Sequence, residues 1–287
     1  MKIISVAHSP DADDIFMYYA IKFGWVTPKD ARFENIADDI ESLNQATLKG
    51  QYDICAISFA LYPFVKDDYA LLKTAVSFGD GYGPKLIKKK GTVLKKNFKV
   101  ALSGEFTTNA LLFKIAYPNA RITYLNFLEI EEAVLNGTVD AGVLIHESIL
   151  TYNQELEVER EMWDIWVELS GGDLPLPLGG MCLRRSIPLN DAINYENTLI
   201  KAVDVANKNR KVLSKMLLEK GLIRVNAETL DKYLDLYAND DSVKMSDVQY
   251  KALDKLYELG YKNGFYENLV KSQDFLIPSE YEELRAK

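Results

Sequence analysis

The stretch Val139-Asp140-Ala141-Gly142-Val143-Leu144-Ile145-His146-Glu147-Ser148-Ile149-Leu150 decides how the chain is read. Its apolar run, Ala141 to Ile145, is bounded by Asp140 before and His146-Glu147-Ser148 after, the pattern of a buried parallel strand delivering polar groups at its carboxyl end. In open α/β sheets ligands sit outside that end of the strands. The chain has two histidines, and one of them stands at this point. A histidine beside an apolar run is often only a satisfied structural residue. A place after the strand, and not within it, points instead to function.

Working outward, the grammar of strand, polar loop and helix recurs. Lys99 to Leu102 reads as a strand, followed by Ser103-Gly104-Glu105-Phe106-Thr107-Thr108-Asn109 and the helical run Ala110 to Ala116. Arg121 to Leu125 and Ile130 to Leu135 supply the next strand and helix, and Asp140 to Ile145 closes the set. An earlier set opens with Ile3 to Ala7, which leads through His8-Ser9-Pro10-Asp11-Ala12-Asp13-Asp14 into the helical pattern Ile15 to Ile21. Phe33 to Ile36 precedes a helix over Asp39 to Leu48, and Asp53 to Ile57 runs into Ser58-Phe59-Ala60-Leu61-Tyr62-Pro63. Two sets of βα units predict two parallel sheets and hence two α/β lobes.

The connections suggest how the lobes are threaded. Tyr69 to Ser77 is apolar with a break at Lys73, and Phe78 to Pro84 carries three glycines, as a flexible turn or a closely approached backbone would. Leu86-Ile87 and Thr92-Val93-Leu94 read as strands leading into the second lobe. Leu156 to Leu169 reads as one amphipathic helix with Met162, Trp163, Trp166 and Leu169 on its apolar face. Ser170 to Gly180, rich in Gly and Pro, reads as a second crossing. From Leu199 onward the pattern is helical, with breaks at Asn207-Lys208-Asn209-Arg210, Gly221 and Asn239-Asp240-Asp241. The expected division is therefore residues 1–90 with 181–287 for the first lobe, and 91–180 for the second.

Composition narrows the function. At 287 residues the chain can form one large domain or two of ordinary size. Its formal net charge of -8, from 34 Lys and Arg against 42 Asp and Glu, argues against broad nucleic-acid or anionic-membrane binding. The basic run Lys85, Lys88, Lys89, Lys90, Lys95, Lys96 and Lys99 reads as a solvated face or an exposed connection before a phosphate site. Cys55 and Cys182 lie in no metal-type spacing and read as two buried, reduced thiols. Met1 to Pro10 turns polar too soon for the apolar core of a signal peptide, and no later run reaches membrane-spanning length. The expectation is a soluble, cytoplasmic protein.

The strand ends deliver His8, Ser9, Asp11, Ser58, Thr107, Thr108, Asn109, His146 and Glu147 to one predicted cleft. Ser58 and the pair Thr107-Thr108 stand at helix starts, where hydroxyl and free backbone N–H groups favour an anion such as a carboxylate. Plain N-capping is the blander reading, and the two are compatible. Asp11, Asp13 and Asp14 look like half of a calcium loop but lack its glycine and distal glutamate, so capping and substrate contact are the better readings. Neither a dinucleotide fingerprint nor a P-loop is present.

Two lobes around a cleft resemble the two-lobed solute-binding proteins of bacterial transport. Ala141 to Ser148, the following Leu150-Thr151-Tyr152, and Leu174-Pro175-Leu176-Pro177-Leu178-Gly179-Gly180 carry a sharper resemblance, to the 1,4-dihydroxy-6-naphthoate synthase family of the futalosine route to menaquinone. Ser9-Pro10, Asp14, Phe16 and Thr107-Thr108-Asn109-Ala110 fit the same family. One departure is visible: the family's first loop often reads Ser-Pro-Cys-Pro-Asn-Asp, and here it is Ser9-Pro10-Asp11-Ala12-Asp13-Asp14. The resemblance implies a type II periplasmic-binding-protein-like α/β fold with the ligand between the lobes. It also implies a lyase that converts cyclic dehypoxanthinyl futalosine to 1,4-dihydroxy-6-naphthoate without cofactor or metal. By the same resemblance His146 is the general base, and Ala56, Ile57, Ser58, Thr107, Thr108 and Asn109, with Ser9 and Asp11, hold the small-molecule carboxylate substrate. An imidazole of ordinary pKa about 6.5 suits that role. The alternatives are chorismate dehydratase of the same pathway and a non-catalytic cytoplasmic solute-binding protein.

Overall fold

The computed structural model describes residues 1–238 and 242–278. The first apolar run forms β1 (Lys2–His8), which lies parallel to both β2 (Ala31–Ala37) and β3 (Ile54–Ser58). Between them run α1 (Ala12–Lys22) and α2 (Ile40–Leu48). All five residues of β3 are buried, as a central strand covered on both faces requires. After α3 (Tyr62–Val65), the short strands β4 (Tyr69–Leu71) and β5 (Ser77–Gly79) complete the outgoing half of this sheet. The break at Lys73 between them is a buried ion pair: Lys73 Nζ lies 3.2 Å from Glu196 Oε2 and donates to the carbonyl of Ile277 at 2.6 Å.

The second sheet holds β6 (Lys85–Lys89), β7 (Lys99–Leu102), β8 (Arg121–Tyr124), β9 (Ala141–Leu144) and β10 (Leu156–Glu161), in the order β10-β6-β9-β7-β8. The helices α4 (Thr108–Ala116), α5 (Ile130–Leu135) and α6 (Met162–Ser170) belong to this half. The chain then returns through β11 (Leu176–Arg184), which enters the first sheet between β3 and β4, giving the order β2-β1-β3-β11-β4 with β5 also on β11. Four long helices follow: α7 (Leu189–Lys208), α8 (Arg210–Glu219), α9 (Ala227–Tyr237) and α10 (Asp247–Lys262). Of these, α7 and α9 pack on α1, α9 also reaches β5, and α10 touches both β11 and α6.

Several expectations change. The sheets are mixed and not purely parallel. The βα strands β1, β2, β3 and β7, β8, β9 pair in parallel, but β6 and β11, which bring the chain across, enter antiparallel. By strand pairing β6 belongs wholly to the second sheet and β11 to the first, so the crossings fall ahead of the expected boundaries at 90 and 180. Only Leu86-Ile87 of the two strands expected near residue 90 forms; Thr92 to Leu94 lies in an irregular connection. Leu156 to Leu169 is not one helix, because Leu156 to Glu161 pairs with β6 as a strand and the helix begins at Met162. The glutamates of that strand meet the basic run: Lys88 pairs with Glu157 and Glu159, and Lys85 with Glu161. Half of the supposed second crossing, from Leu176 on, is strand. The expected break at Asn239-Asp240-Asp241 lies outside the described residues.

Gly142 shows how tightly β9 is covered. A methyl group there would come within 2.4 Å of Ile130 Cγ2 and 3.1 Å of Val134 Cγ2 on α5. Both neighbours are buried core side chains. Gly142→Ala is therefore expected to cost about 1–3 kcal/mol, the usual range for an overpacked core, read as a lower urea midpoint at unchanged m-value.

Candidate active site

The loops after β1, β3, β7 and β9 converge on one cavity with about 710 Å³ of unfilled space, counted out to its mouth. Ser9 and Asp11 come from the loop after β1, Ala56, Ile57 and Ser58 from the end of β3, and Thr107, Thr108 and Asn109 from the start of α4. His146 follows β9 and faces the same space. His146 and the eight residues that the resemblance implies as substrate contacts thus line one cavity.

His146 occupies the left-handed region, with φ of 56°. For a residue bearing a Cβ this conformation is uncommon and is tolerated where the surroundings over-determine it. Here Nδ1 lies 2.8 Å from Asp11 Oδ2, and the ring edge packs on Phe127 at 5.0 Å between centroids. Asp11 is itself clamped: Ser9 Oγ donates to Oδ2 at 2.5 Å and Arg224 Nη2 to Oδ1 at 2.9 Å. The Nε2 atom of His146 is buried and has no hydrogen-bond partner among the described residues. Burial opposes charge on the imidazole, but the Asp11 carboxylate outweighs it, helped by Glu147 and Asp13, and the pKa is pushed up to about 9. Asp11 moves the other way. Burial would raise its carboxyl, but His146, Ser9 and Arg224 together hold it below the ordinary carboxylate value.

The opposite wall is built from neutral donors. Asn44 on α2 accepts from the Ser58 backbone N–H at 2.9 Å, and its Nδ2 donates to Ser58 Oγ at 3.1 Å, which leaves the serine hydroxyl proton for a ligand. Thr107 caps α4: its Oγ1 accepts from Ala110 N and donates to Gly104 O. Thr108 Oγ1 donates to Leu178 O at 3.0 Å and accepts from Ala60 N at 3.3 Å, joining the lobes. These threonine hydroxyls are committed, so what α4 offers a ligand is its first-turn backbone N–H groups. Ser103 Oγ and Asn109 Oδ1 are buried polar atoms without a partner among the described residues, and both residues line the cavity. Asp13 lies there too. Burial first, then Asp14 and Asp11, push its carboxyl up to about 8, and Ser77 and Tyr233 hydrogen-bond it at 2.8 and 3.4 Å.

Two expectations are corrected. His8 does not line the cavity: Nδ1 is 2.7 Å from Ser9 O, Nε2 contacts Asn35 Nδ2, and the ring packs on Tyr18, so both nitrogens are used within the first lobe. Burial lowers its pKa, and its role is structural. Glu147, also expected in the cleft, does not line the cavity; it reaches across to α1, where Oε1 accepts from Ala12 N at 3.0 Å, and Oε2 lies 3.7 Å from Arg224. Sequence reading also missed Ser103, Ser77, Tyr233, Tyr237 and Arg224. Ser103 directly follows β7 and could have been found by the strand-end rule that found Ser58. The tyrosines and Arg224 come from the C-terminal helical region, whose sequence pattern records only amphipathic helices.

The geometry defines a class: two α/β lobes of periplasmic-binding-protein-like fold with a polar ligand cleft between them. The ligand-binding component of an ABC-type import system from Staphylococcus aureus shares that fold, with a TM-score of 0.70 over 99% of both chains at 13% identity. A crystal structure of a protein from Archaeoglobus fulgidus is more similar, with a TM-score of 0.85 and 33% identity over 91% of this chain and 98% of that one. The menaquinone-biosynthesis family matches residues 4–262, and the chain belongs to that family. A Streptomyces coelicolor relative named 1,4-dihydroxy-6-naphthoate synthase is 29% identical over 257 residues, 87% of this chain and 90% of the relative.

Proposed function

We propose that the protein is a cytoplasmic lyase of menaquinone biosynthesis that converts cyclic dehypoxanthinyl futalosine to 1,4-dihydroxy-6-naphthoate, with His146 as general base. One observation carries the chemistry: His146 lines the cleft with Nε2 unpartnered while Nδ1 is held by Asp11. A ring fixed at one nitrogen and open at the other is the arrangement that accepts a proton from a bound substrate. Ser58, Asn109 and the first turn of α4, with Ala56, Ile57, Thr107 and Thr108 around them, hold the substrate carboxylate. Ser9 and Asp11 face its reacting end. Proton abstraction and bond cleavage of this kind ask for no organic cofactor or metal.

The test is to incubate the purified protein separately with the cyclic futalosine derivative and with chorismate, and to follow product masses. Formation of 1,4-dihydroxy-6-naphthoate from the first alone is expected. Dehydration of chorismate would instead make the protein a chorismate dehydratase. Tight binding without turnover of either compound would make it a solute-binding module. Ser58→Ala removes a donor to the carboxylate and leaves Asn44 Nδ2 without its acceptor. KM is expected to rise roughly tenfold, since one such bond is worth about 1 kcal/mol or slightly more, with kcat changed much less.

A further inference from the structure

Asp11 occupies the N-cap position of α1, where an aspartate ordinarily accepts hydrogen bonds from the helix's first turn. Its side chain makes no capping bond. The first backbone N–H of the helix, that of Ala12, is taken instead by Glu147 from the second lobe. The Asp11 carboxylate is thereby released from local duty and turned to His146, with Oδ2 at 2.8 Å from Nδ1.

We propose that Asp11 is a positioning residue for His146: it holds Nδ1, keeps the proton of the neutral ring there, and leaves the lone pair of Nε2 directed at the substrate. The inference rests on the reading of His146 as the base and goes beyond it by naming what makes that base competent. Asp11 can do this because it cannot turn away. Ser9 Oγ donates to the oxygen that faces His146, the Asp11 backbone N–H donates to Ser9 Oγ at 3.3 Å, and Arg224 holds the other oxygen. Arg224 also lies over the Phe127 ring at 5.3 Å from its centroid, and Phe127 sets the edge of the imidazole. An orienting carboxylate on the far nitrogen is how an imidazole base is held in one tautomer and its charged form stabilised. The charged groups facing His146 are Asp11 from the loop after β1, Asp13 from α1 and Glu147 from its own segment, with Arg224 from the connection between α8 and α9 balancing Asp11 and Glu147.

Because the chain has two histidines, the imidazole nitrogens can be followed one by one in ¹⁵N NMR spectra, with His146→Asn assigning the signals and buried His8 reporting that the variant is folded. In the wild-type protein the neutral His146 ring should carry its proton on Nδ1 and titrate near 9. Asp11→Asn should bring the midpoint well down from 9, since burial remains after the strongest opposing carboxylate is gone and only Glu147 and Asp13 still oppose it. At the pH of maximal rate, kcat should fall roughly 10²-fold, the lower end of general-base contributions, with KM within about threefold. Ser9→Ala gives a milder probe: losing the hydroxyl donor makes the carboxylate more basic and should move the midpoint upward. An unmoved His146 signal in Asp11→Asn overturns the proposal, as does an unmoved tautomer or an unchanged kcat. If Asp11→Asn does not fold, an unmoved midpoint in Ser9→Ala overturns it alone. The NMR measurement needs no substrate. Failure of the wild-type protein to turn over the futalosine derivative therefore counts against the proposed reaction, while the titration still decides the pairing.

Discussion

His146→Asn is expected to abolish most turnover, by roughly 10²- to 10⁴-fold, the range general acid–base catalysis supplies, while substrate binding and folding persist. Asparagine suits this test better than alanine. It tolerates the left-handed backbone that His146 occupies at φ of 56°, so the loop after β9 need not rearrange. Asp11 keeps Ser9 and Arg224 as partners, so its buried carboxylate is not orphaned. Substrate affinity by calorimetry should stay within a few-fold, since Ser58, Asn109 and the start of α4 are untouched. Turnover near the wild-type level would remove His146 as the base.

The second large effect is on pH. With the imidazole pushed up to about 9, the ring carries its second proton at neutral pH. A base must be neutral. The competent fraction, and with it kcat/KM, should therefore climb about tenfold per pH unit and level off above pH 9, leaving pH 7 roughly 10²-fold below the plateau. A profile that instead falls as pH rises through 9 would mean that the charged ring acts as an acid. One that is flat between pH 6 and 9 would mean that His146 does not limit the reaction. Stability should run the opposite way. The folded pKa of His146 is raised above its unfolded value, so the stability it contributes is fully present below about pH 6.5 and is lost as pH rises through 9. Asp13 adds to the trend. Its carboxyl is raised to about 8, so the folded state binds a proton the unfolded chain has already released, and stability declines between about pH 4 and 8. Melting temperatures measured from pH 6 to 9 should fall while the specific activity climbs.

Much of the cleft was legible in the chain because strand-end chemistry is local. A buried run followed by polar residues announces where a strand stops, and in an α/β sheet that is where ligands gather. Ser9, Ser58, Thr107 and His146 were all found by that single rule. What each hydroxyl does was not legible. Thr107 and Thr108 were read as substrate donors, but their protons go to the carbonyls of Gly104 and Leu178. Glu147 was placed in the cleft with His146, yet its partner is the N-terminal end of a helix 135 residues away. The strand Leu156 to Glu161 was mistaken for helix because its alternation of charged and apolar residues is short and runs into the true helix at Met162. Its pairing with the lysines of β6 depends on an edge no local pattern records.

By itself, the sequence determined the two sets of βα units, the place of the cleft and the histidine at its edge, since apolar periodicity and the polar loops that interrupt it are set within a few residues. Only the tertiary structure decided which carboxylate serves that histidine. Asp11, Glu147 and Arg224 are separated by most of the chain, and the electrostatics of His146 depend on distances of a few ångströms in a water-poor cleft, which exist only once both lobes and the C-terminal helices have packed.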